Sequence, residues 1–154
     1  MAEEKEEKKM HPAKKFLSEI PKIDRLINRL MNTVAELRSS LTSTGTDMQS
    51  DRVQTSGAKD TLGNTIAKII DLEREINNRI DELCDLKYDI LARISRMPDL
   101  DQQNVLIARY VQGLKWEKIA KEMNFSLSQI YKLHGKGLNS FLEFNPDIQE
   151  EETT

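Results

Sequence analysis

The chain has 154 residues, with 23 lysines and arginines against 26 aspartates and glutamates and a formal net charge of -3. At this length one domain with an extension is expected, and 32% charged residues with 5% aromatics fit long exposed helices better than an enzyme built around a large cavity. The single cysteine, Cys84, excludes an internal disulfide and a thiolate zinc cage, and no apolar run approaches the ~20 residues of a membrane span.

Residues 1–13 are expected to be a disordered charged tail. Met1 to Lys9 mixes both signs of charge with no hydrophobic stretch behind it, so there is no secretory signal and a cytoplasmic location is expected. From residue 14 to 97 the spacing predicts two long helices. Phe16, Ile20, Ile23, Ile27, Leu30, Val34, Leu37 and Leu41 recur at alternating steps of four and three. Leu62, Ile66, Ile69, Ile76, Ile80, Leu83, Ile90, Ile94 and Met97 repeat the pattern, a heptad seam interrupted by Glu73 and Lys87. Such polar interruptions fix register at a cost in stability. Pro21 either lies in the first turn of the first helix or kinks it.

Thr42 to Gly57, rich in Ser, Thr, Asp and Gly, lacks apolar periodicity and is expected to be the loop of an antiparallel hairpin. Within it Asp51 to Gly57 reads either as a capped turn, with Gly57 supplying a positive φ, or as a contact loop carrying Arg52 at the tip. If Leu41 sits opposite Leu62, Phe16 lies opposite Lys87. Ile90, Ile94 and Met97 then stay uncovered over roughly 15 Å at about 1.5 Å per residue. Either the helix from Leu100 or a second copy of the chain must cover them, which makes a homodimer through the coiled coil the expectation.

Residues 98–142 read as three short helices. Asp99 to Gln112 starts after Pro98, stops at Gly113 and offers Leu100, Val105, Leu106 and Val111 for burial. Leu114 to Met123 turns Ile119, Ala120 and Met123 inward, and the small Ala120 lets the next helix cross closely. Asn124 and Phe125 fill a turn. Ser126-Leu127-Ser128-Gln129 then has the pattern of a capping box with Ser126 as N-cap. Beyond it Ile130, Leu133, Leu138 and Phe141 point inward, while Leu127, Ser128, Tyr131 and Lys132 face outward, a set that suits a DNA major groove. Gly135 and Gly137, each costing about 1 kcal/mol in a helix interior, predict fraying after His134.

Charge is uneven along the chain. Between residues 113 and 141, Lys115, Lys118, Lys121, Lys132 and Lys136 outnumber Glu117 and Glu122, leaving a local charge of +3 (5 against 2). Residues 143–154 carry only acids among their charged groups and are expected to be a disordered acidic tail. Trp116 and Tyr110 read as packing residues on helices, Cys84 as an inert half-buried thiol, and His134 as a surface residue or phosphate neighbour. His11 lies in the tail, and neither histidine has a metal-ligand partner at useful spacing. Gly135-Lys136-Gly137 lacks the spacing and preceding strand of a phosphate loop. No catalytic residue, metal or cofactor is expected.

Met97-Pro98, Val105-Leu106, Arg109-Tyr110, Gly113-Leu114, Glu117, Ile119-Ala120, Ser126, Ile130, Lys136 and Leu138 together resemble region 4 of bacterial sigma factors, the part that reads the upstream promoter element. Over roughly residues 14 to 141 the chain also resembles small phage and prophage proteins of Gram-positive bacteria akin to the ArpU and RinA late-gene regulators, chiefly through the loop Asp51-Arg52-Val53-Gln54-Thr55-Ser56-Gly57. The resemblance implies an all-α fold in which a long antiparallel helical hairpin precedes a three-helix, sigma-region-4-like helix-turn-helix. It implies that Leu127, Ser128, Tyr131 and Lys132 face bases and that Arg109, Lys118 and Lys136 hold the DNA backbone. Lys115 and Lys121 join the backbone set as members of the basic cluster. Sigma factors usually carry Arg and Glu where this chain has Leu127, Ser128 and Tyr131, so their base preference does not carry over.

The expected function is that of a non-enzymatic, sequence-specific transcriptional regulator binding double-stranded DNA in a bacterial host, with host RNA polymerase as a possible partner. A complete sigma factor is disfavoured, since residues 1–97 hold only Phe16 and Tyr88 as aromatic platforms for unstacked bases. The competing readings are a DNA-packaging adaptor resembling a small terminase subunit and a coiled-coil protein-interaction module without DNA binding.

Overall fold

The computed structural model describes residues 10–44 and 56–150, and among them every regular element is helical. In chain order these are α1 (Pro12–Leu17), α2 (Glu19–Thr44), α3 (Ser56–Ile94), α4 (Leu100–Leu106), α5 (Trp116–Met123), α6 (Leu127–Phe144) and α7 (Asp147–Glu150). The described residues fall into two compact units, 10–22 with 85–150, and 23–44 with 56–84. The readings placed on residues 1–9, on the loop tip from residue 45 to Thr55 and on 151–154 lie outside the described residues.

In the second unit the apolar steps of the sequence become a buried line. Ile27, Val34, Ile69, Ile76 and Leu83 are each exposed by only 6–8%. The register differs from the expected one. Arg38 forms an ion pair with Glu73, whereas the expected pairing would have set it against Thr65. The heptad pattern repeats every seven residues, so apolar spacing alone tolerates a slide of about one repeat, and the polar Glu73 resolves the ambiguity through its charge. Cys84, expected to be half-buried, is exposed.

The first unit closes the far end of α3 with the chain's own elements. Ile90 and Ile94 are completely buried and Met97 nearly so. Phe16 meets Arg93, with the guanidinium carbon 5.3 Å from the ring centroid, and packs its ring 6.1 Å from that of Phe141. Phe16 therefore does not sit opposite Lys87, and the expected uncovered seam does not exist. The case for a dimer built on it falls with it.

Two short helices absent from the sequence reading make this closure. His11 caps α1 by accepting from the Ala13 N–H at 3.2 Å, Pro12 takes the first helical position, and Ala13 and Leu17 are fully buried. The expected tail thus begins folding before residue 14. Pro21 falls in the first turn of α2, where its missing N–H has no intrahelical partner to lose. At the other end the described part of the expected acidic tail, residues 143–150, is instead the last turn of α6 followed by α7. Asn145 is completely buried and Ile148 is 6% exposed.

Asn145 ties three segments. Its Nδ2 donates to the Phe141 carbonyl at 2.9 Å and to the Arg93 carbonyl at 3.3 Å, while its Oδ1 accepts from Arg96 at 2.9 Å. Arg93 reaches Asp147 at 2.7 Å and Asp89 at 3.0 Å, and its hydrogen bond holds the Asp147 carboxyl below the usual carboxylate range. A buried amide with all its partners made is favourable. The same group with one partner removed carries the full desolvation cost.

Candidate nucleic-acid interface

The sequence signals around α4 to α6 act as local rules. Asp99 caps α4 by accepting from the Gln102 N–H at 3.0 Å, and Val105 and Leu106 are fully buried as expected, although Leu100 is 71% exposed. α4 then widens into a π-turn over Ile107–Val111, where the Gln112 N–H reaches the Ile107 carbonyl five residues back at 2.9 Å. Gly113 ends it at φ +69°, a conformation that L side chains rarely adopt.

α5 ends at Asn124, in the left-handed region with φ 56°, and the chain turns through Phe125 into Ser126. Ser126 and Gln129 exchange both bonds of a capping box, at 2.9 and 3.1 Å. Val105, Ile119, Ala120 and Ile130 form the buried centre of this unit, with Met123, Phe125 and Leu133 packed around them.

The two helix interiors fix what is left outside. Leu127, Ser128, Tyr131 and Lys132 share one exposed face of α6, and Lys136 follows Lys132 one turn later. Lys115, the N-cap residue of α5, and Lys118 and Lys121 on that helix are also exposed. The fold does not fray after His134: α6 runs on to Phe144, held by Leu138, Phe141 and Leu142. Gly137 sits where α4 crosses, and an added Cβ would meet Leu106 at 3.5 Å. Gly135 instead faces open space on the side of Tyr131 and Lys132, leaving the backbone flush there.

Two expected site residues are used differently. Arg109 is half-buried, donates to the Leu114 carbonyl at 3.0 Å and lies over Trp116 at 4.5 Å. It braces the turn before α5 instead of projecting into solvent. His134 is no surface residue. Its Nε2 shares a 2.7 Å hydrogen bond with the Tyr110 hydroxyl, and its ring stands edge-on to Trp116 at 4.7 Å.

Burial, followed by the positive charges of Lys14, Arg109 and His11, pushes His134 down to about 4, while burial pushes Tyr110 up to about 12. Both groups are therefore neutral at pH 7, and neither is poised for acid–base work. Trp116 meets Tyr131 edge-on at 5.5 Å, so the packing cluster also positions an outward side chain of α6.

Among the described residues no group of three or more His, Cys, Asp or Glu is placed to hold a metal ion. No described helix is long and apolar enough to cross a membrane. No family model, no curated protein and no solved structure matches the chain.

Proposed function

We propose that the chain is a sequence-specific DNA-binding regulator of phage or prophage transcription. In this reading α4 to α6 form a sigma-region-4-like helix-turn-helix, and α2 and α3 form an antiparallel hairpin in front of it. The observation that carries the reading is the exposed N-terminal face of α6, where Leu127, Ser128, Tyr131 and Lys132 stand clear of the core on a helix braced by a capping box and by Trp116. A helix presented by its first two turns enters a major groove readily, and Ser and Lys hydrogen-bond base edges while Leu and Tyr pack against thymine methyls.

Lys115, Lys118, Lys121 and Lys136 hold phosphates in this reading, and Arg109 is released from that role because the fold employs it. Host RNA polymerase is the second partner in this reading, met through the helical hairpin, and the setting is the bacterial cytoplasm.

The test is a genomic DNA pull-down at two salt concentrations with sequencing of the bound fragments, beside a Lys118→Ala/Lys132→Ala control. Enrichment of a defined site, lost in the control, is expected. Each lysine removed should flatten the slope of log K against log salt by about one. Absence of enrichment at both salts would sink the reading and move weight to the packaging adaptor or the protein-binding module.

A further inference from the structure

The second unit has a face of α3 that the buried line does not use. Ile69, Ile76 and Leu83 point to the inside of the unit. On the adjacent face Ile66, Ile70, Glu73, Asn77, Ile80 and Cys84 follow steps of four, three, four, three and four. That is a second heptad seam, and its isoleucines remain 40–49% exposed. Met31, 52% exposed, and Ala35 lie on the same side of α2, across a groove of about 440 Å³ that Glu73, Ile76 and Asn77 also line.

The seam is symmetric about Glu75. Glu73 and Asn77 are two residues to either side of it, Ile70 and Ile80 five, and Ile66 and Cys84 nine. A helix with this property is complementary to itself in the antiparallel sense. Two copies related by a two-fold axis at Glu75 would set Ile70 against Ile80, Ile66 against Cys84 and Glu73 against Asn77, alternating the two apolar positions of a heptad as an antiparallel pair requires.

We infer that a second copy of this chain docks on this face, with the two α3 helices antiparallel and centred on Glu75. The buried lines of the second unit in each of the two copies then lie side by side, and four helices share one core. The seam from Ile66 to Cys84 is about 27 Å long, 18 steps of ~1.5 Å, and the two helices are together about 20 Å wide, so the face offers roughly 540 Å² before side-chain relief is counted. That is less than the ~800 Å² per partner of a standard interface and is the scale of a weak, concentration-dependent dimer. The polar layer of Glu73 and Asn77 fixes register, since sliding the pair by one heptad would set Glu73 against Ile70 or Cys84 and Asn77 against Ile66 or Ile80.

The inference concerns a different surface from the proposed DNA-binding face and is independent of that reading. It is tested on the full chain by sedimentation and by oxidative cross-linking. The wild type should sediment as a dimer yet form no disulfide, because its two Cys84 residues would lie about 27 Å apart, 18 residues at ~1.5 Å. Ile66→Cys should cross-link to the partner's Cys84 and run as a covalent dimer without reductant.

Ile70→Lys should weaken the dimer about 100-fold, since two-fold symmetry counts each substitution twice. Leu26→Lys, on the far flank of α2, should leave it intact, and circular dichroism should show both variants equally helical. A monomer at hundreds of micromolar, a disulfide between wild-type Cys84 residues, failure of Ile66→Cys to cross-link, or an oligomer indifferent to Ile70→Lys would each overturn the inference.

Discussion

The two units are made from the same kind of helix and reach different degrees of closure. In the unit of residues 10–22 and 85–150, Leu17, Ile90, Ile94, Val105, Leu106, Ile119, Ile130 and Phe141 are completely buried, and a buried amide ties the segment after α6 to the end of α3. Among the described residues of the other unit, 23–44 and 56–84, the best covered, Ile27 and Ile69, still expose 6%, and isoleucines one face away are half exposed. A pair of helices buries a line, whereas a core needs elements crossing from several directions. The short helices α1 and α7 supply those directions in one unit and have no counterpart among the described residues of the other.

If that difference is real energetically, the largest effect should come from Phe141→Ala. Its ring is fully buried against Phe16, and its loss should cost about 3–5 kcal/mol. Ile76→Ala in the helix pair should cost about 2 kcal/mol, the low end for such a change, because its surroundings can collapse. Trp116, the only tryptophan, reports the first unit alone, while far-UV circular dichroism reports both. Urea melts followed by both probes should show Phe141→Ala moving the fluorescence transition and Ile76→Ala moving mainly the dichroism. Equal shifts of both probes in both variants would mean that the units melt as one.

Asn145→Ala comes next. It strands the Phe141 and Arg93 carbonyls and frees Arg96, and should cost about 1–3 kcal/mol in the fluorescence-detected melt. A loss within a few tenths of zero would show that water replaces the amide and that the Asn145 tie to the end of α3 is not what closes this unit.

The pH dependence sharpens the same contrast. His134 is held at about 4 in the folded chain against an ordinary 6.5. Below pH 6.5 the unfolded chain takes up a proton on this ring that the folded chain refuses until about pH 4. The contribution of this neutral ring to the first unit is therefore fully present above pH 6.5 and is lost progressively as the pH falls through the window from 6.5 to 4. His134→Phe preserves a ring beside Trp116 and should remove this slope from the urea midpoint measured between pH 7.5 and 4.5. An unchanged slope would assign it to other groups.

Local signals in the sequence carried the elements, and long-range contacts carried the rest. The Ser126–Gln129 capping box, the helix start after Pro98, the stop at Gly113 and the apolar steps of α2 and α3 are read from residues within one or two turns of each other, and each appears in the fold. The register of α2 against α3 rests on Arg38 meeting Glu73, and the closure of α3 on Phe16, Phe141 and Asp147 meeting around Arg93. No spacing rule reaches across 35 or 54 positions. Two signals were nevertheless present. His11-Pro12 and Pro146-Asp147 each have the form of a helix start, proline at or just before the first turn with a capping or acidic neighbour. The candidate site was legible in its outward face on α6, whereas Arg109 read as a free cation because its engagement with Trp116 depends on the π-turn.

The smallest change bears on what the exposed face of α6 is for. Gly135 lies in the interior of a long helix, yet a Cβ there would touch nothing, so packing gives no reason for its absence. Gly135→Ala should stabilise the first unit by about 1 kcal/mol, visible as a higher urea midpoint for Trp116 fluorescence. Gly113→Ala, at φ +69°, should do the reverse. A helix that forgoes this stability beside Tyr131 and Lys132 gains a backbone that a ligand can approach closely. If Gly135→Ala stabilises the fold and also weakens binding to the DNA recovered in the pull-down, the flush backbone belongs to the interface. If it stabilises the fold and leaves DNA affinity unchanged, the groove reaches no further along α6 than Lys132.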